Sequence, residues 1–132
     1  MISYLVEHEA EVYPRLAAMG AEMRRGVVGA FAAEGVFARC TGEPNELVPG
    51  CSISAIHFPH DAATALVGPQ VVLDPVYCNT LLSQRILQLA LLLEDVYTLF
   101  GSCALGMAHS SADLGRLGDA CRAAARRIRP YL

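Results

Sequence analysis

The stretch between Asn79 and Glu94 restricts the possible folds more than any other part of the chain. The spacing of its Leu, Ile and Ala residues predicts a helix, with Asn79 or Thr80 as its N-cap. The polar side chains within it form one narrow stripe: Gln84, Arg85 and Gln88. Because the rest of its circumference is apolar, we expect this helix to be covered on more than one side.

Periodicity and turn residues predict the elements before this helix. A helical lead-in over 2–13 precedes a longer helix that starts near Pro14 and ends at Gly35. Strands follow at 36–40 and 51–58, separated by the loop 41–50. In the second strand Ser52 and Ser54 alternate with Ile53 and Ala55, which predicts one polar face. Residues 59–75 contain prolines and a glycine, so we expect a long loop.

Two further strands are predicted after the apolar helix, at 95–99 and 103–107. Ser110 and Asp113 have the spacing of a capping box at the start of a last helix. Four residues give that helix a buried face: Leu114, Leu117, Cys121 and Ile128. Antiparallel strands with helices on one face would bury these stripes. The sequence therefore predicts a single α+β domain over residues 1–132, a two-layer fold of antiparallel strands with helices on one face.

The composition points to a partner surface. Apolar residues make up 54 % of the 132 residues, above the usual ~45–50 %, and charged residues 17 %, below the usual ~25 %. A domain of this size has little interior, so part of the apolar excess is expected to face outward, where contiguous patches mark contact with a partner. The net charge is −3 and no basic stripe is present, so we do not expect a nucleic-acid partner.

All ten basic residues are arginines. The absence of lysine excludes Schiff-base chemistry by this chain alone. A GC-rich genome would explain the arginine bias without any function, and we prefer that interpretation. The cluster near the C-terminus fits a solvated helix end better than a phosphate site; it comprises Arg122, Arg126, Arg127 and Arg129.

The five cysteines are scattered, odd in number and without a CxxC pair. We interpret them as reduced, mostly buried thiols of a cytoplasmic protein. No signal peptide is predicted. The apolar run around residues 86–93 is too short to span a bilayer and is interrupted by Gln88, so no membrane association is expected.

No complete catalytic or metal-binding set is apparent. His57 and His60 have HxxH spacing but leave a strand and flank Pro59, which does not favour a metal site. Ser102 lacks a nucleophile elbow, and the surrounding "GSCALG" lacks the lysine of a phosphate loop. His109 has two interpretations. It could act as a general acid or base, or it could pack beside the helix start and bond to backbone, which we prefer.

Three stretches in order resemble one enzyme family. "SYLVEHEAEVYPRLAAMGAEMRRGV" resembles the helix that opens the C-terminal small domain of the class III, pyridoxal-phosphate-dependent aminotransferases of fold type I. "YCNTLLSQRILQLALLLEDVYT" resembles the later helix of that domain and its exit into a "GVYL" strand. "MAHSSADLGRLGDACRAAARRI" resembles the closing "AHT" helix. Within the family, the chain is most similar to glutamate-1-semialdehyde aminomutases.

The resemblance implies a small antiparallel sheet of three to four strands with helices on one side, completing the cofactor and substrate cleft of a large domain. In that family the large domain holds the phosphate, the pyridine nitrogen and the Schiff-base lysine, so this chain would bind no pyridoxal phosphate alone. Aligning back from His109 places Gly101 where the aminomutases have a glutamate near the substrate, and the loop is shorter. That contact is not carried over. The cleft candidates are Phe100, Gly101 and Ser102, with His109 behind them; none is assigned a catalytic role.

Three hypotheses follow. The chain is the small-domain subunit of a split enzyme, with pyridoxal phosphate in the assembled complex and a separate large-domain chain as partner. Alternatively, it is a non-catalytic binding or scaffold protein derived from that domain, covering its apolar surface by self-association or on another protein. The third hypothesis is an excised fragment of a longer aminotransferase. If Gly101 lies in the cleft, bulky substitution there is expected to impair the assembled enzyme without unfolding this domain.

Overall fold

The computed structural model describes residues 2–44 and 46–132. Its α-helices are α1 Ile2–Glu7, α2 Glu9–Ala33, α3 Pro69–Val72, α4 Leu87–Leu92 and α5 Ser111–Ile128. A π-helical segment, Leu82–Ile86, leads directly into α4, and a 3₁₀ turn, Arg129–Tyr131, follows α5. The strands are β1 Arg39–Cys40, β2 Ile53–His57 and β3 Ser102–Ala104.

The strands form one antiparallel sheet in the order β1-β2-β3. Arg39 of β1 lies opposite His57 of β2, and Ser54 of β2 lies opposite Cys103 of β3. The predicted α+β class with a small antiparallel sheet is therefore confirmed, with three strands.

Helices α2, α4 and α5 pack together on one face of this sheet. Phe31 of α2 and Cys121 of α5 are completely buried, as is Leu87 of α4, and Ile56 of β2 meets them from the sheet. The rings of Phe31 and Phe58 pack edge to face with centroids 5.4 Å apart. The contiguous contact of these apolar faces is the main stabilising interaction of the fold.

In β2, Ser54 lies on the side that faces the helices. Ser54 is 1 % exposed on the side of the helices, and its hydroxyl donates to the Thr41 carbonyl at 2.7 Å. Ile53, on the opposite side, is 49 % exposed. A buried serine is tolerated because this hydrogen bond satisfies its hydroxyl. Beside Ile53, the open face of the sheet, away from the helices, carries His57 and, opposite it, Arg39, so this face is of mixed polarity.

The predicted start of the last helix and the predicted end of the longest helix are confirmed. Ser110 and Asp113 form a reciprocal capping box at the start of α5. Gly35, at φ +74°, ends α2 by donating to the Ala32 carbonyl while the next amide donates to Phe31. The start of α2 was predicted too late. It begins at Glu9, so Pro14 lies within the helix. Proline keeps a helical φ, and Val12 is already buried in the preceding turn.

The predicted strand 95–99 is wrong. Asp95, at φ +58°, ends α4 in the way Gly35 ends α2, because its amide donates to Leu92 and the Val96 amide donates to Leu91. Leu99 then enters a tight hairpin turn with Ser102. Too few residues remain between these two motifs to form a strand.

The apolar helix is covered on one side only. Asn79 caps it as predicted, with its side chain accepting from the Leu82 amide at 3.0 Å. Its inner side is buried in the core, but the outer side leaves four leucines more than half exposed: Leu81, Leu89, Leu92 and Leu93. Within the described residues, nothing supplies the second covering that the sequence predicts.

Candidate functional site

The open face of the sheet carries a pocket of about 520 Å³. Its floor is the outer side of β2, with Ile53, Ala55 and His57. The loop before β2 forms one wall with Leu47 and Val48. The other residues that line the pocket are Thr41, Ser54, Pro69, Val72, Leu73, Ser83, Gln84, Phe100 and Ser102. Most of these side chains are apolar, and none is charged.

Local motifs hold these walls in place. Glu46 forms a salt bridge with Arg39 of β1, and Arg39 also donates to the Thr64 carbonyl, which ties the loop before β2 to the loop after it. Leu66, Val72 and Cys78 form a small core of their own, against which Leu47 packs. The pocket therefore lies between two apolar clusters rather than in a mobile surface groove.

His57 is the buried titratable group of the pocket. It is 7 % exposed, and its Nδ1 has no hydrogen-bond partner among the described residues. Burial lowers the pKa of His57 from 6.5 to about 4, because the charged imidazolium loses hydration that nothing replaces. The side chain is therefore neutral near pH 7, with one nitrogen able to donate and the other able to accept a hydrogen bond.

Two residues at the pocket have a backbone conformation that is unfavourable for residues with their side chains. Phe100 has φ +52° and Val48 has φ +50°, in the left-handed region where side chains other than Gly, Asn and Asp are rare. Phe100 and Gly101 are the two central residues of the turn between Leu99 and Ser102, whose amide donates to the Leu99 carbonyl at 2.9 Å. Such strain concentrates at functional positions, and both residues line this pocket.

The structure separates the four cleft candidates. Phe100, 55 % exposed, and Ser102 line the pocket. Gly101 does not line it: the residue is buried at φ +74°, and a Cβ there would lie 3.2 Å from the Ile56 carbonyl oxygen and 3.3 Å from that of Ser83. We therefore expect bulky substitution at Gly101 to destabilise the domain itself, because a side chain would have to displace two backbone carbonyls.

His109 lies away from the pocket, beside a smaller cavity of about 340 Å³ that it shares with Ser102. Its Nδ1 accepts from the Gly106 amide at 3.0 Å next to the start of α5. The preferred interpretation of His109, packing beside the helix start with a bond to backbone, is confirmed.

The other candidate groups have structural partners. Arg126 pairs with Glu34 at 2.9 Å and Arg127 with Glu94 at 2.5 Å, so the arginine cluster joins the ends of three helices, as its solvated-end interpretation allows. His60 bonds to the Pro75 carbonyl at 3.0 Å. No group of three or more His, Cys, Asp or Glu side chains in residues 2–44 and 46–132 could hold a metal ion.

The cysteines are free thiols, and three are buried: Cys40, Cys78 and Cys121. Burial raises the pKa of Cys40 to about 12 and that of Cys103 to about 11. A thiol with so high a pKa is a poor nucleophile near neutral pH, so these residues contribute packing rather than chemistry.

Pyridoxal phosphate does not fit this chain alone. The chain has no lysine, and none of its arginines lines the pocket. Without a cation to pair with the phosphate or an amine to form a Schiff base, the residues of this pocket cannot hold the cofactor.

No helix in the described part of the chain has the length and apolar character needed to cross a bilayer.

Comparison with known proteins adds no relative. No protein-family model matches this chain. No curated protein matches it either.

Sequence reasoning considered His57 only as a metal ligand. Strand alternation could have placed it differently, since His57 follows Ile53 and Ala55 at spacings of two and thus shares their face. Val48 carried no such signal, because its loop has no periodicity. The pocket itself depends on the approach of segments distant in sequence.

Proposed function

We propose that this chain is the small-domain subunit of a split, pyridoxal-phosphate-dependent enzyme similar to the class III aminotransferases. Its open sheet face completes the substrate cleft of a separate large-domain chain. One observation carries the proposal: the apolar pocket on that face, with Phe100 and Ser102 at its turn. These two residues are the cleft candidates that the resemblance names and that the fold leaves accessible.

An exposed apolar side chain on the sheet supports the same assignment. An isolated two-layer domain normally turns its apolar side chains inward. Here Ile53 of β2 is 49 % exposed on the open face. A covering partner would bury this side chain and remove the cost of exposing it to water. In the proposed complex that partner supplies the Schiff-base lysine and the phosphate site, since this chain has no lysine. We place the complex in the cytoplasm on its free thiols.

A second function, self-association as a non-catalytic scaffold, is favoured by the outer side of α4. Leu89, Leu92 and Leu93 are between 52 % and 68 % exposed there, on a different element from the sheet face. A helix with such a side packs readily against a second helix. This alternative uses α4 as the interface and leaves the pocket without a role.

The experiment uses a native pull-down of the tagged chain from its own host, with identification by mass spectrometry and a visible spectrum of the eluate. We expect a lysine-containing partner with large-domain sequence and an absorbance band typical of an internal aldimine. Ile53→Asp should abolish this capture, while Leu89→Asp should leave it intact. Tyr131→Asp, which changes a residue 88 % exposed beyond α5, is the matched control for loss of apolar surface.

The opposite pattern refutes the split enzyme. A homo-oligomer without a chromophore, disrupted by Leu89→Asp and unaffected by Ile53→Asp, would assign the chain to the scaffold class.

A further inference from the structure

The charge of the pocket restricts what can enter it. None of the described side chains that line it is ionised near neutral pH. The bulky apolar side chains that line it include Leu47, Ile53, Leu73 and Phe100. A carboxylate, phosphate or ammonium group entering this space would lose hydration and gain no counter-charge. The pocket therefore selects an uncharged group.

Three of the six polar side chains that line it are already bonded. The Thr41 hydroxyl accepts from the Ala55 amide at 2.9 Å, and the Ser54 hydroxyl donates to the Thr41 carbonyl. The Ser83 hydroxyl donates to the Thr80 carbonyl at 3.3 Å. His57, Gln84 and Ser102 make no side-chain hydrogen bond among the described residues, and of these three only His57 is buried. Native proteins seldom leave such a group unpaired unless a ligand or water completes it.

The volume is that of a small-molecule site. At about 520 Å³ it falls within the range of pockets that enclose small ligands. It can take a single aromatic ring, or a branched aliphatic group of similar size, together with one hydrogen-bonding substituent.

We infer that this pocket binds an uncharged, mainly apolar group with a hydroxyl or amide that hydrogen-bonds to the His57 imidazole. In the split enzyme this group is the part of the substrate remote from the reacting amine. The substrate role rests on the proposed function, whereas the pocket and its selectivity belong to this chain. An acidic side chain of the kind that aminomutases handle would find no cation here.

The test titrates the full chain, without partner, with three probes that share one ring: p-cresol, toluene and p-toluate. Binding is followed by NMR of the His57 ring and by calorimetry. We expect saturable binding of p-cresol, with p-toluate at least tenfold weaker because its carboxylate must be desolvated. Toluene should bind about fivefold more weakly than p-cresol, the equivalent of one net hydrogen bond.

Two variants locate the interaction. His57→Leu should weaken the binding of p-cresol about fivefold and leave the binding of toluene unchanged, since leucine keeps the apolar volume and removes both nitrogens. His60→Leu, at an exposed histidine outside the pocket, is the matched control. Ala55→Leu fills the pocket floor and should abolish binding of p-cresol and toluene; it provides a second test should His57→Leu unfold.

The proposal is overturned if p-toluate binds as tightly as p-cresol, or if the folded His57→Leu variant binds p-cresol as tightly as the wild type. It is also overturned if no probe shows saturable binding. These results are independent of the pull-down. Loss of probe binding with a large-domain partner still captured would refute the pocket alone, whereas probe binding with no such partner would refute the split enzyme alone.

Discussion

Acid should destabilise this protein through His57 before it affects most carboxylates. The pKa of His57 is lowered to about 4 in the native state and is about 6.5 in the unfolded chain. Between these values the unfolded chain binds one proton more, so the free energy of unfolding falls as the pH falls. The contribution is fully present above pH 6.5. At pH 4.5 about 2.5 kcal/mol of it should be lost.

Urea denaturation followed by circular dichroism at pH 7.5, 5.5 and 4.5 measures this loss. His57→Leu should flatten the profile over that range, and His60→Leu, the exposed control, should keep the wild-type slope. The hydrogen bonds from Ser110 lower the pKa of Asp113, so its contribution is lost only below about pH 3.8, outside the range measured. A His57→Leu profile as steep as that of the wild type would refute the assignment of a buried, neutral histidine.

Three further outcomes follow from the geometry. Gly101→Ala should lower the free energy of unfolding by about 1–3 kcal/mol, while Gly106→Ala, whose added Cβ would meet its nearest neighbour at 3.9 Å, should change it by less than about 1 kcal/mol. Equal effects would contradict the close approach at Gly101. Phe100→Asn should raise thermal stability by about 0.5–1 kcal/mol by relieving the left-handed φ, and should weaken partner capture; lower stability would argue against strain there. With iodoacetamide at pH 8, mass spectrometry should find the half-buried Cys51 labelled at least tenfold faster than Cys40, and similar rates would show that Cys40 is accessible.

Local signals predicted the elements whose ends they mark. Gly35 identified the end of α2, and the pair Ser110 and Asp113 identified the start of α5, because both motifs act within a few residues. The end of α4 at Asp95 was not predicted, because the left-handed residue that ends a helix is most often glycine or asparagine. The composition Asp-Val-Tyr-Thr-Leu then favoured a strand that the two flanking turns leave no room to form.

The candidate site was predictable only in part. The resemblance named Phe100 and Ser102, and both lie at the pocket. Alternation established which side chains of β2 share a face, but not which face turns toward the helices, because that depends on the approach of α2 and α5. The burial of His57 required the same tertiary information, as its neighbours in the sequence include the exposed His60.

The brevity of the outer strands determines the direction from which the sheet can be approached. β1 has two residues and β3 three, so neither edge offers the row of free amides and carbonyls on which another strand could extend the sheet. Lateral growth into a larger sheet or a fibre is therefore disfavoured despite the exposed Ile53 on the open face. Any protein that docks on the open face would therefore approach it through side chains, and its binding would depend on complementary shape rather than on backbone pairing.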